Sequence, residues 1–294
     1  MDKVLIIGAS NIDFIGKSKN KLIKNDSNIG TVKVAFGGVG RNVCENLARL
    51  GVDTSFITAI GNDDLGSRLK NELEELNVKL IIPKTGLETS NYMAIHDING
   101  DMAYAISDMK IVDEINPEFI AENLKLENDY KYIVLDGNLN KTVINYILNR
   151  YQNKFIVDGI STNKVLKFKD NLEKLFLLKA NIYEAQALAN ENLKGRELIE
   201  KLFSIGLRQV IVTDGANDIY YGSNNMIGKI KVEKVRNIVN ATGAGDSMLA
   251  GIILGLLKNK ELKDAIEIGK KISKITLLST DAVSKDINKN TITF

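Results

Sequence analysis

Short apolar runs alternate along this chain with segments of helical period, and this alternation constrains the fold more than any other feature. Runs of strand length lie at residues 4–7, 54–60, 132–135, 155–157 and 210–213. Segments with helical period lie at residues 40–50, 65–76, 142–151 and 183–189. Strands that alternate with helices form crossover units, which bring parallel strands into one sheet. The sequence therefore predicts an α/β fold, with a doubly wound and mostly parallel sheet flanked by helices.

Two segments interrupt this alternation. Residues 12–36 and 89–107 lack a convincing helical period, and the second contains Asn99 followed by Gly100, a pair that favours a tight hairpin turn. We expect both segments to be insertions that together form a small β-sheet lid. The chain has two prolines and no Pro-rich or Ser-rich linker, so nothing in it marks a boundary between domains. A single domain over residues 1–294, with a lid, is the expected organisation.

Charge and composition exclude several classes of function. The chain has 39 basic and 37 acidic side chains, and a net charge of +2 gives no overall field for nucleic acid or an anionic membrane. Its longest apolar run, residues 250–257, is far shorter than the roughly 20 residues that a membrane span needs. The single cysteine, Cys44, cannot form an intramolecular disulfide, which favours a reducing compartment. We expect a cytoplasmic protein whose partners are small molecules.

The count of histidines restricts the chemistry further. One histidine and one cysteine exclude a multi-histidine or Cys/His zinc site, and they leave His96 as the only imidazole base. His96 lies in residues 91–98, which are predicted to be a strand that leads into the Asn99 and Gly100 turn. A functional site requires convergent partners. We therefore interpret His96 as a partly exposed strand residue.

The strongest local signal for chemistry is the sequence NATGAGD at residues 240–246, which precedes an apolar helix predicted at 248–257. Small residues at the start of a helix leave the backbone amides unobstructed, and the helix dipole adds about half a positive charge there. Asp246 could accept a proton from an incoming hydroxyl while these amides hold a transferring phosphoryl group. The alternative is a glycine-rich turn in which Asp246 is an ordinary N-terminal helix acid.

Polar residues near two other glycine-rich turns are candidates for binding a sugar. The sequence GGVGRN at residues 37–42 ends the first insertion, and its paired glycines permit close approach of a ligand to the backbone. Asn42 can both donate to and accept from sugar hydroxyls. Asn11 and Asp13 follow the first strand and would point to one side of an extended backbone. Asp13 could bind two adjacent hydroxyls of a ribose-type ring, or it could form an Asx turn.

Two familiar nucleotide-binding motifs fail on spacing. The sequence GKS at residues 16–18 lacks the first glycine of a P-loop, because Asn11 stands five residues before Gly16. Gly38 and Gly40 lack the third glycine of a dinucleotide-binding turn, and they follow the first insertion instead of the first strand. We therefore reject both motifs.

Five motifs, taken together, resemble those of the ribokinase-like (PfkB-type) carbohydrate and nucleoside kinases. They are the glycines at 37–38 with Asn42, IGNDDLG at 60–66, NIYE at 181–184, TDG at 213–215 and TGAGD at 242–246. They follow the order of the family and cover essentially the whole chain. One such motif would be a weak signal, but five in order are specific. The resemblance implies a ribokinase-like fold and phosphoryl transfer from ATP to an alcohol.

The resemblance also implies a role for each matching residue. Asp246 would be the general base, and Gly243, Ala244 and Gly245 would form the anion hole. The sugar would be held by Asn11, Asp13, Gly37, Gly38 and Asn42. Asn181 and Glu184, one helical turn apart and on one face, would organise Mg²⁺ and the phosphates, with Glu184 acting on the metal through water. The residues that would border the ATP phosphates are Thr213, Gly215 and Thr242.

Finer features resemble the pseudouridine kinases within that family. They are ENLARLG at 45–51, SDMK at 107–110 ahead of PEF at 117–119, and Asn240 in place of the usual aspartate. This resemblance implies phosphorylation of the 5′-hydroxyl of pseudouridine. The alternatives are a kinase for ribose, another furanose or an ordinary nucleoside, and a non-catalytic sugar- or nucleoside-binding regulator of the same fold.

Two further expectations concern assembly and ions. A small lid sheet would expose edges and one apolar face, and pairing two lids would cover them, so we expect a homodimer. Activation by a monovalent cation such as K⁺ occurs in related kinases. The carbonyl ligands of such a cation leave no side-chain signature in the sequence.

Overall fold

We describe the architecture from a computed structural model, which covers residues 2–124, 129–224 and 226–293. The strands are β1 (Lys3–Ile7), β2 (Asn11–Ser18), β3 (Gly30–Gly37), β4 (Asp53–Ile57), β5 (Lys79–Ile81), β6 (Asn91–His96), β7 (Met102–Asp108), β8 (Tyr132–Asp136), β9 (Phe155–Asp158), β10 (Leu175–Asn181), β11 (Gln209–Thr213), β12 (Ile219–Ser223) and β13 (Met226–Ile230). The α-helices are α1 (Val39–Arg49), α2 (Asp64–Glu75), α3 (Pro117–Asn123), α4 (Lys141–Arg150), α5 (Thr162–Val165), α6 (Ile182–Ala189), α7 (Gly195–Ser204), α8 (Ala244–Leu257) and α9 (Leu262–Leu277). Two 3₁₀ segments span Lys110–Glu114 and Leu166–Lys174.

Nine strands form the main sheet, in the order β13-β12-β11-β10-β9-β8-β1-β4-β5. Neighbouring strands from β5 to β11 in this order pair in parallel. The last two pairs, β11 with β12 and β12 with β13, are antiparallel. One core lies on each face: Leu5 and Ile7 belong to the core that α3 to α7 cover, whereas Val4 and Ile6 belong to the core that α1, α2, α8 and α9 cover. Burial on both faces explains why the strands are nearly continuous apolar runs. The predicted doubly wound α/β fold is confirmed.

The predicted helices at 40–50, 65–76, 142–151 and 183–189 appear as α1, α2, α4 and α6, each end within one residue of its expected position. The strand predicted at 54–60 is wrong at its end, because β4 stops at Ile57. Ala59 and Ile60 are nevertheless buried. Their apolar character reflects packing in the core and not strand pairing. In the residues that the structure covers, no helix is long and apolar enough to cross a membrane.

Helix α8 is buried on nearly all sides and presents its N-terminus to the sheet edge where the strands end. It begins at Ala244, four residues before the expected start at 248. Gly251 allows close contact with α9, because a side chain built there would lie 2.8 Å from the Gly269 Cα atom. This tight packing fixes the direction in which the first turn of α8 points.

The two predicted insertions supply a separate four-stranded sheet, β3-β2-β6-β7, which we call the small sheet. β2 pairs antiparallel with β3 and parallel with β6, and β6 and β7 form a hairpin. The predicted turn is present, since Gly100 has φ +91° and the Asp97 carboxylate accepts from the Asn99 amide at 2.9 Å. His96 ends β6, half-buried, with Nδ1 3.0 Å from the Gly100 carbonyl oxygen.

Asp63 joins the small sheet to the main body. Its Oδ1 atom accepts from the Gly66 amide at 2.7 Å and so caps α2. Its Oδ2 atom accepts from both the amide and the hydroxyl of Thr89, each at 2.7 Å, just before β6 begins. Thr89 Oγ1 in turn accepts from the Gly61 amide at 3.0 Å. The GNDD segment at residues 61–64, for which sequence analysis predicts no individual role, is therefore a junction between the two sheets.

We expect Asp63→Ala to destabilise the fold by about 2–3 kcal/mol, because it removes a helix cap and leaves the buried Thr89 donors without an acceptor. The control is Asp64→Ala, which removes an exposed first-turn carboxylate and should cost no more than about 0.3–1 kcal/mol. Urea unfolding of both variants measures the difference. Equal losses would show that the Asp63 to Thr89 junction contributes nothing beyond its charge.

Candidate active site

Asp246 and Asn42 meet although 204 positions separate them in the sequence. Asp246 lies in the first turn of α8, and its Oδ2 atom accepts a hydrogen bond of 2.8 Å from Asn42 Nδ2 in the first turn of α1. Arg41 donates to Asn42 Oδ1 at 3.1 Å, which orients the amide so that its NH₂ group points at the carboxylate. Both side chains are buried. One Asp246 oxygen is thus held in place by the protein.

Burial raises the pKa of Asp246 to about 7, and the negative charge of Asp158 adds to this effect. The hydrogen bond from Asn42 and the positive charge of Lys179 act in the opposite direction. A carboxylate with a pKa near neutrality is well matched to accept and release a proton near neutral pH. Burial and the long-range hydrogen bond from Asn42 distinguish Asp246 from an exposed N-terminal helix acid.

Small residues surround the start of α8 as the sequence predicted. Gly243 is the N-cap with φ +78°, and a side chain at this position would collide with the Ala282 carbonyl. The Asn240 side chain accepts from the Thr242 amide at 2.9 Å and shapes the turn before it. First-turn amides of a helix have no acceptor within the helix. The Ala244 amide donates to the Ala241 carbonyl oxygen at 3.3 Å. The amides of Gly243 and Gly245 present an electropositive backbone edge next to Asp246.

The predicted sugar-binding residues converge at the base of the small sheet. Asn11 Nδ2 donates to Asp13 Oδ1 at 2.5 Å, so the two side chains lie on one side of β2 as expected. Asp13 lies inside the strand, which makes the Asx-turn alternative wrong. A side chain at Gly37 would overlap the Asp13 carboxylate, and Gly38 has φ +97°. Burial raises the pKa of Asp13 to about 6.

Sequence reasoning missed Asp136, a buried carboxylate at the end of β8. Its Oδ2 atom accepts from the Ala9 amide at 3.0 Å and from the Gly40 amide at 2.9 Å, and Oδ1 accepts from the Asn138 amide at 2.7 Å. Burial raises the pKa of this group. Asp136 therefore ties the turn after β1 to the start of α1. The sequence signal that could have revealed Asp136 is its position directly after the strand predicted at 132–135, because ligands usually bind at the carboxyl ends of parallel strands.

Asn181 and Glu184 form a capping box, which corrects the prediction that they lie one turn apart on a helical face. Asn181 is the N-cap of α6, and its Oδ1 atom accepts from the amides of Tyr183 and Glu184 at 2.9 and 3.0 Å. Glu184 Oε2 accepts from the Asn181 amide at 2.8 Å. Burial raises the pKa of Glu184. The physical reason is that helix α6 starts at Ile182, so Asn181 stands outside it.

Thr213 and Gly215 lie beside this cap. Thr213 ends β11 and is the register partner of Asn181 at the end of β10. Gly215 has φ +55°, and no atom would contact a side chain built there, so its backbone is open to approach. The ends of β10 and β11 thus provide a backbone surface next to Asn181, at the carboxyl edge of the sheet.

Lys179 is a second residue that sequence reasoning missed. Its Nζ atom lies 2.7 Å from Asp158 Oδ2, and both side chains are buried. The same Nζ would be 3.1 Å from a Cβ atom built on Gly245, so this cation lies directly against the first turn of α8. A lysine within an apolar strand, two residues before Asn181, was the available signal. Lys179 places a positive charge between the α8 amides and the α6 cap.

The donor set around Glu184 suits magnesium bound mainly through phosphates and water. Within residues 2–124, 129–224 and 226–293, no group of three or more His, Cys, Asp or Glu side chains is arranged to hold a metal ion. Mg²⁺ keeps several water ligands and often takes only one or two protein carboxylates together with substrate phosphates. The Glu184 oxygens retain lone pairs beyond those used in the capping box. The residues present therefore fit such an ion.

Comparisons with known proteins identify the family of the chain. Residues 1–289 match the model of the pfkB family carbohydrate kinases. The chain is 36% identical over 264 residues to the pseudouridine kinase of Escherichia coli K12, covering 85% of this chain and 82% of that protein. A carbohydrate kinase from Agrobacterium tumefaciens superposes with a TM-score of 0.87 at 25% identity, covering 99% of this chain and 95% of the other. The ribokinase of Thermotoga maritima has the same fold, with a TM-score of 0.84 at 22% identity and coverage of 99% and 98%. The chain belongs to the pfkB family of carbohydrate kinases.

Proposed function

We propose that this protein transfers the γ-phosphoryl group of ATP to the 5′-hydroxyl of pseudouridine, with Asp246 as the general base. One observation carries the phosphoryl transfer: a buried carboxylate, which Asn42 holds by one oxygen and whose pKa is raised to about 7, lies in the glycine-rich first turn of α8. This arrangement supports a proton acceptor and an anion hole next to each other. An acceptor hydroxyl that enters between them could be deprotonated as it is phosphorylated.

The choice of pseudouridine has separate support. The E. coli relative at 36% identity is a pseudouridine kinase, and the chain covers most of its length. The Asn11 and Asp13 pair offers hydrogen-bonding groups to two adjacent ring hydroxyls, which a ribose-containing nucleoside has. Gly37 and Gly38 keep the backbone beside this pair free of side chains. We assign these four residues and Asn42 to the ribose.

In the proposed reaction, Asp246 accepts the proton of the 5′-hydroxyl as its oxygen attacks the γ-phosphorus. The bond between that phosphorus and the bridging oxygen of ADP breaks, and the electron pair leaves with ADP. The amides of Gly243, Ala244 and Gly245 stabilise the charge on the transferring group. Lys179, against Gly245, adds a fixed positive charge on the same side.

The nucleotide would lie along the carboxyl edge of β10 and β11. The residues that would border its phosphates are Thr213, Gly215 and Thr242. Asn181 and Glu184 would orient the phosphates and the Mg²⁺ ion bound to them, with Glu184 acting on the metal through water. Mg²⁺, when bound, neutralises phosphate charge. Activation by a monovalent cation such as K⁺ stays a prediction.

The small sheet would act as the lid of this site and exclude water that could otherwise accept the phosphoryl group. We also propose a homodimer formed through the small sheet. A cytoplasmic location accords with Cys44, which is buried and has no disulfide partner among the described residues.

Asp246→Asn should reduce turnover by about 10²–10⁴-fold, because the amide cannot accept the hydroxyl proton. Pseudouridine should still bind within a few-fold of the wild-type affinity, measured by calorimetry. The matched control is Asp264→Asn, an exposed acid in the first turn of α9, which should leave turnover unchanged. Near-normal turnover of the Asp246 variant would refute the general-base assignment and favour the alternative in which Asp246 is an ordinary N-terminal helix acid.

The pH dependence of kcat/KM should show an acid limb with an apparent pKa near 7. Burial raises the pKa of Asp246 to about 7, so the carboxylate holds its proton below that pH and is available as a base above it. Asn42→Ala removes a hydrogen bond that lowers this pKa, so its acid limb should move to higher pH. A limb that stays in place in the Asn42 variant would show that another group controls it.

A substrate panel tests the choice of acceptor. ADP formation should be fastest with pseudouridine when it is compared with uridine, adenosine, ribose and fructose phosphates at equal concentration. Uridine is the sharpest comparison, because it carries the same ribose and differs in the linkage of the base. Strong turnover of ribose with none of pseudouridine would overturn the substrate but leave the kinase mechanism standing.

A further inference from the structure

Lys33 makes a contact that joins the small sheet to a loop packed against the start of α8. Its Nζ atom donates to the Thr280 carbonyl oxygen at 3.2 Å and lies 2.7 Å from Asp281 Oδ1. Thr280 and Asp281 belong to residues 278–284, which follow α9 and which we call the α9 loop. Lys33 lies in β3, 247 positions before Thr280. Within the described ranges, no other hydrogen bond or ion pair joins β3 to this loop.

Lys33 lies on the face of the small sheet that carries the proposed sugar-binding carboxylate. Residues directly opposite each other in an antiparallel pair share a face, and successive side chains alternate between faces. The register pairs Asp13 with Ala35 and Ile15 with Lys33, so the Lys33 side chain shares a face with Asp13. Lys33 stands four residues before Gly37, where β3 ends, which is about 13 Å along the strand. Its contact therefore holds the small sheet at a distance from its base.

The α9 loop is also bonded to the turn that precedes Asp246. The Thr280 carbonyl oxygen, which accepts from Lys33, accepts from Asn240 Nδ2 at 3.3 Å as well. Asn240 Oδ1 in turn accepts from the Thr242 amide at 2.9 Å. One carbonyl oxygen is thus shared by the small sheet and by the residue that shapes the proposed phosphate-binding turn.

Backbone contacts on both sides of Thr280 hold the α9 loop against this turn. The Ala282 carbonyl lies so close to Gly243, the N-cap of α8, that a side chain at Gly243 would collide with it. The Leu277 carbonyl oxygen, at the end of α9, accepts from the Val239 amide at 2.9 Å. A displacement of the loop would therefore disturb the turn and the amides around Gly243.

The ion pair at this contact is weak enough to open. The Lys33 and Asp281 side chains are 49% and 47% exposed. Exposed ion pairs contribute little stability, and salt screens them. Such a contact can break and re-form within each turnover, whereas removing one partner of a buried pair is strongly unfavourable. The exposure of this pair therefore suits a reversible closure better than a fixed structural joint.

We propose that Lys33 is a positioning residue, whose contacts with Thr280 and Asp281 clasp the small sheet shut over the substrate and hold the turn before α8 in place. The inference rests on the proposed function, in which the small sheet is the lid. With the clasp formed, the site excludes water while the 5′-hydroxyl lies against Asp246. With the clasp open, water attacks the γ-phosphorus instead. The proton of that water passes to Asp246, the bond to the bridging oxygen breaks with its electron pair on ADP, and inorganic phosphate forms.

Hydrogen exchange of the free enzyme tests the physical link, because it requires no substrate. Lys33→Met keeps the length of the side chain and removes its charge and its donors. The α9 loop is then less restrained, so peptides that contain residues 238–243 should exchange at least about threefold faster than in the wild type. The matched control is Lys141→Met on α4, which breaks an ion pair with Asp170 of the same 2.7 Å length and similar exposure. Unchanged exchange at residues 238–243 in the Lys33 variant would overturn the clasp.

The ratio of products tests the positioning role. With MgATP and pseudouridine, the wild type should form ADP and pseudouridine 5′-phosphate in nearly equal amounts. Lys33→Met should raise the fraction of ADP formed without nucleoside phosphate by at least about threefold, because water reaches the open site. Lys33→Arg keeps the charge and the donors, so its ratio should stay within about twofold of the wild type. Lys141→Met should leave the ratio unchanged.

A double variant tests whether both partners act through one contact. Asp281→Asn removes the charge and leaves the Thr280 carbonyl as an acceptor, so its effect should be smaller than that of Lys33→Met. The double variant should be no worse than Lys33→Met alone. Full additivity, or a wild-type product ratio in Lys33→Met, would overturn the positioning role. A wild type that forms no pseudouridine phosphate would refute the proposed substrate instead, and the ratio is then measured with the acceptor that the substrate panel identifies.

Discussion

The buried carboxylate of Asp136 holds together the parts from which the site is built. It accepts hydrogen bonds from Ala9 and Gly40, which come from opposite ends of the first insertion, and from Asn138 in its own turn. Removing a carboxylate from water is costly, and burial raises its pKa accordingly. Backbone donors offset that cost while fixing where the chain leaves β1 and enters α1. The positions of Asn11 and Asn42 both depend on this junction.

The same balance of burial and partners sets the chemistry at Asp246. Burial and the charge of Asp158 favour its protonated form, whereas Asn42 and Lys179 favour its ionised form. Lys179 is itself held by Asp158 at 2.7 Å, so the cation and the opposing anion form one unit beside α8. Because burial and the charge of Asp158 outweigh the two opposing contacts, the pKa of Asp246 rises to about 7. A fully exposed aspartate, or one paired with a single cation, would be too weak a base for the same task.

The sequence predicted the features that depend on neighbours in the chain. Strand and helix periodicity, the glycine turn at Gly243 and the common side of Asn11 and Asp13 are all local properties. The roles of Asp136 and Lys179 depend on atoms that are 21 or more positions away, and no spacing rule reports them. The spacing of Asn181 and Glu184 predicts that their side chains lie close together. Periodicity does not show that Asn181 stands just before the helix and forms its N-cap. The predicted strand likewise extends too far, to Ala59 and Ile60, because burial and strand pairing leave the same apolar signal in a sequence.

The small sheet shows how one periodicity separates two kinds of contact. Asp13 and Phe14 are adjacent, and their side chains point to opposite faces: Asp13 lies against Gly37, and Phe14 lies on the same face as its register partners Val34 and Met93. A slip of one residue in the pairing of β2 would exchange these faces. The close fit of the Asp13 carboxylate against Gly37, which leaves no room for a side chain there, opposes such a slip. The contact between Asp13 and Gly37 therefore also fixes which side chains lie on the opposite face of the small sheet, and a shift of the strand would change both faces at once.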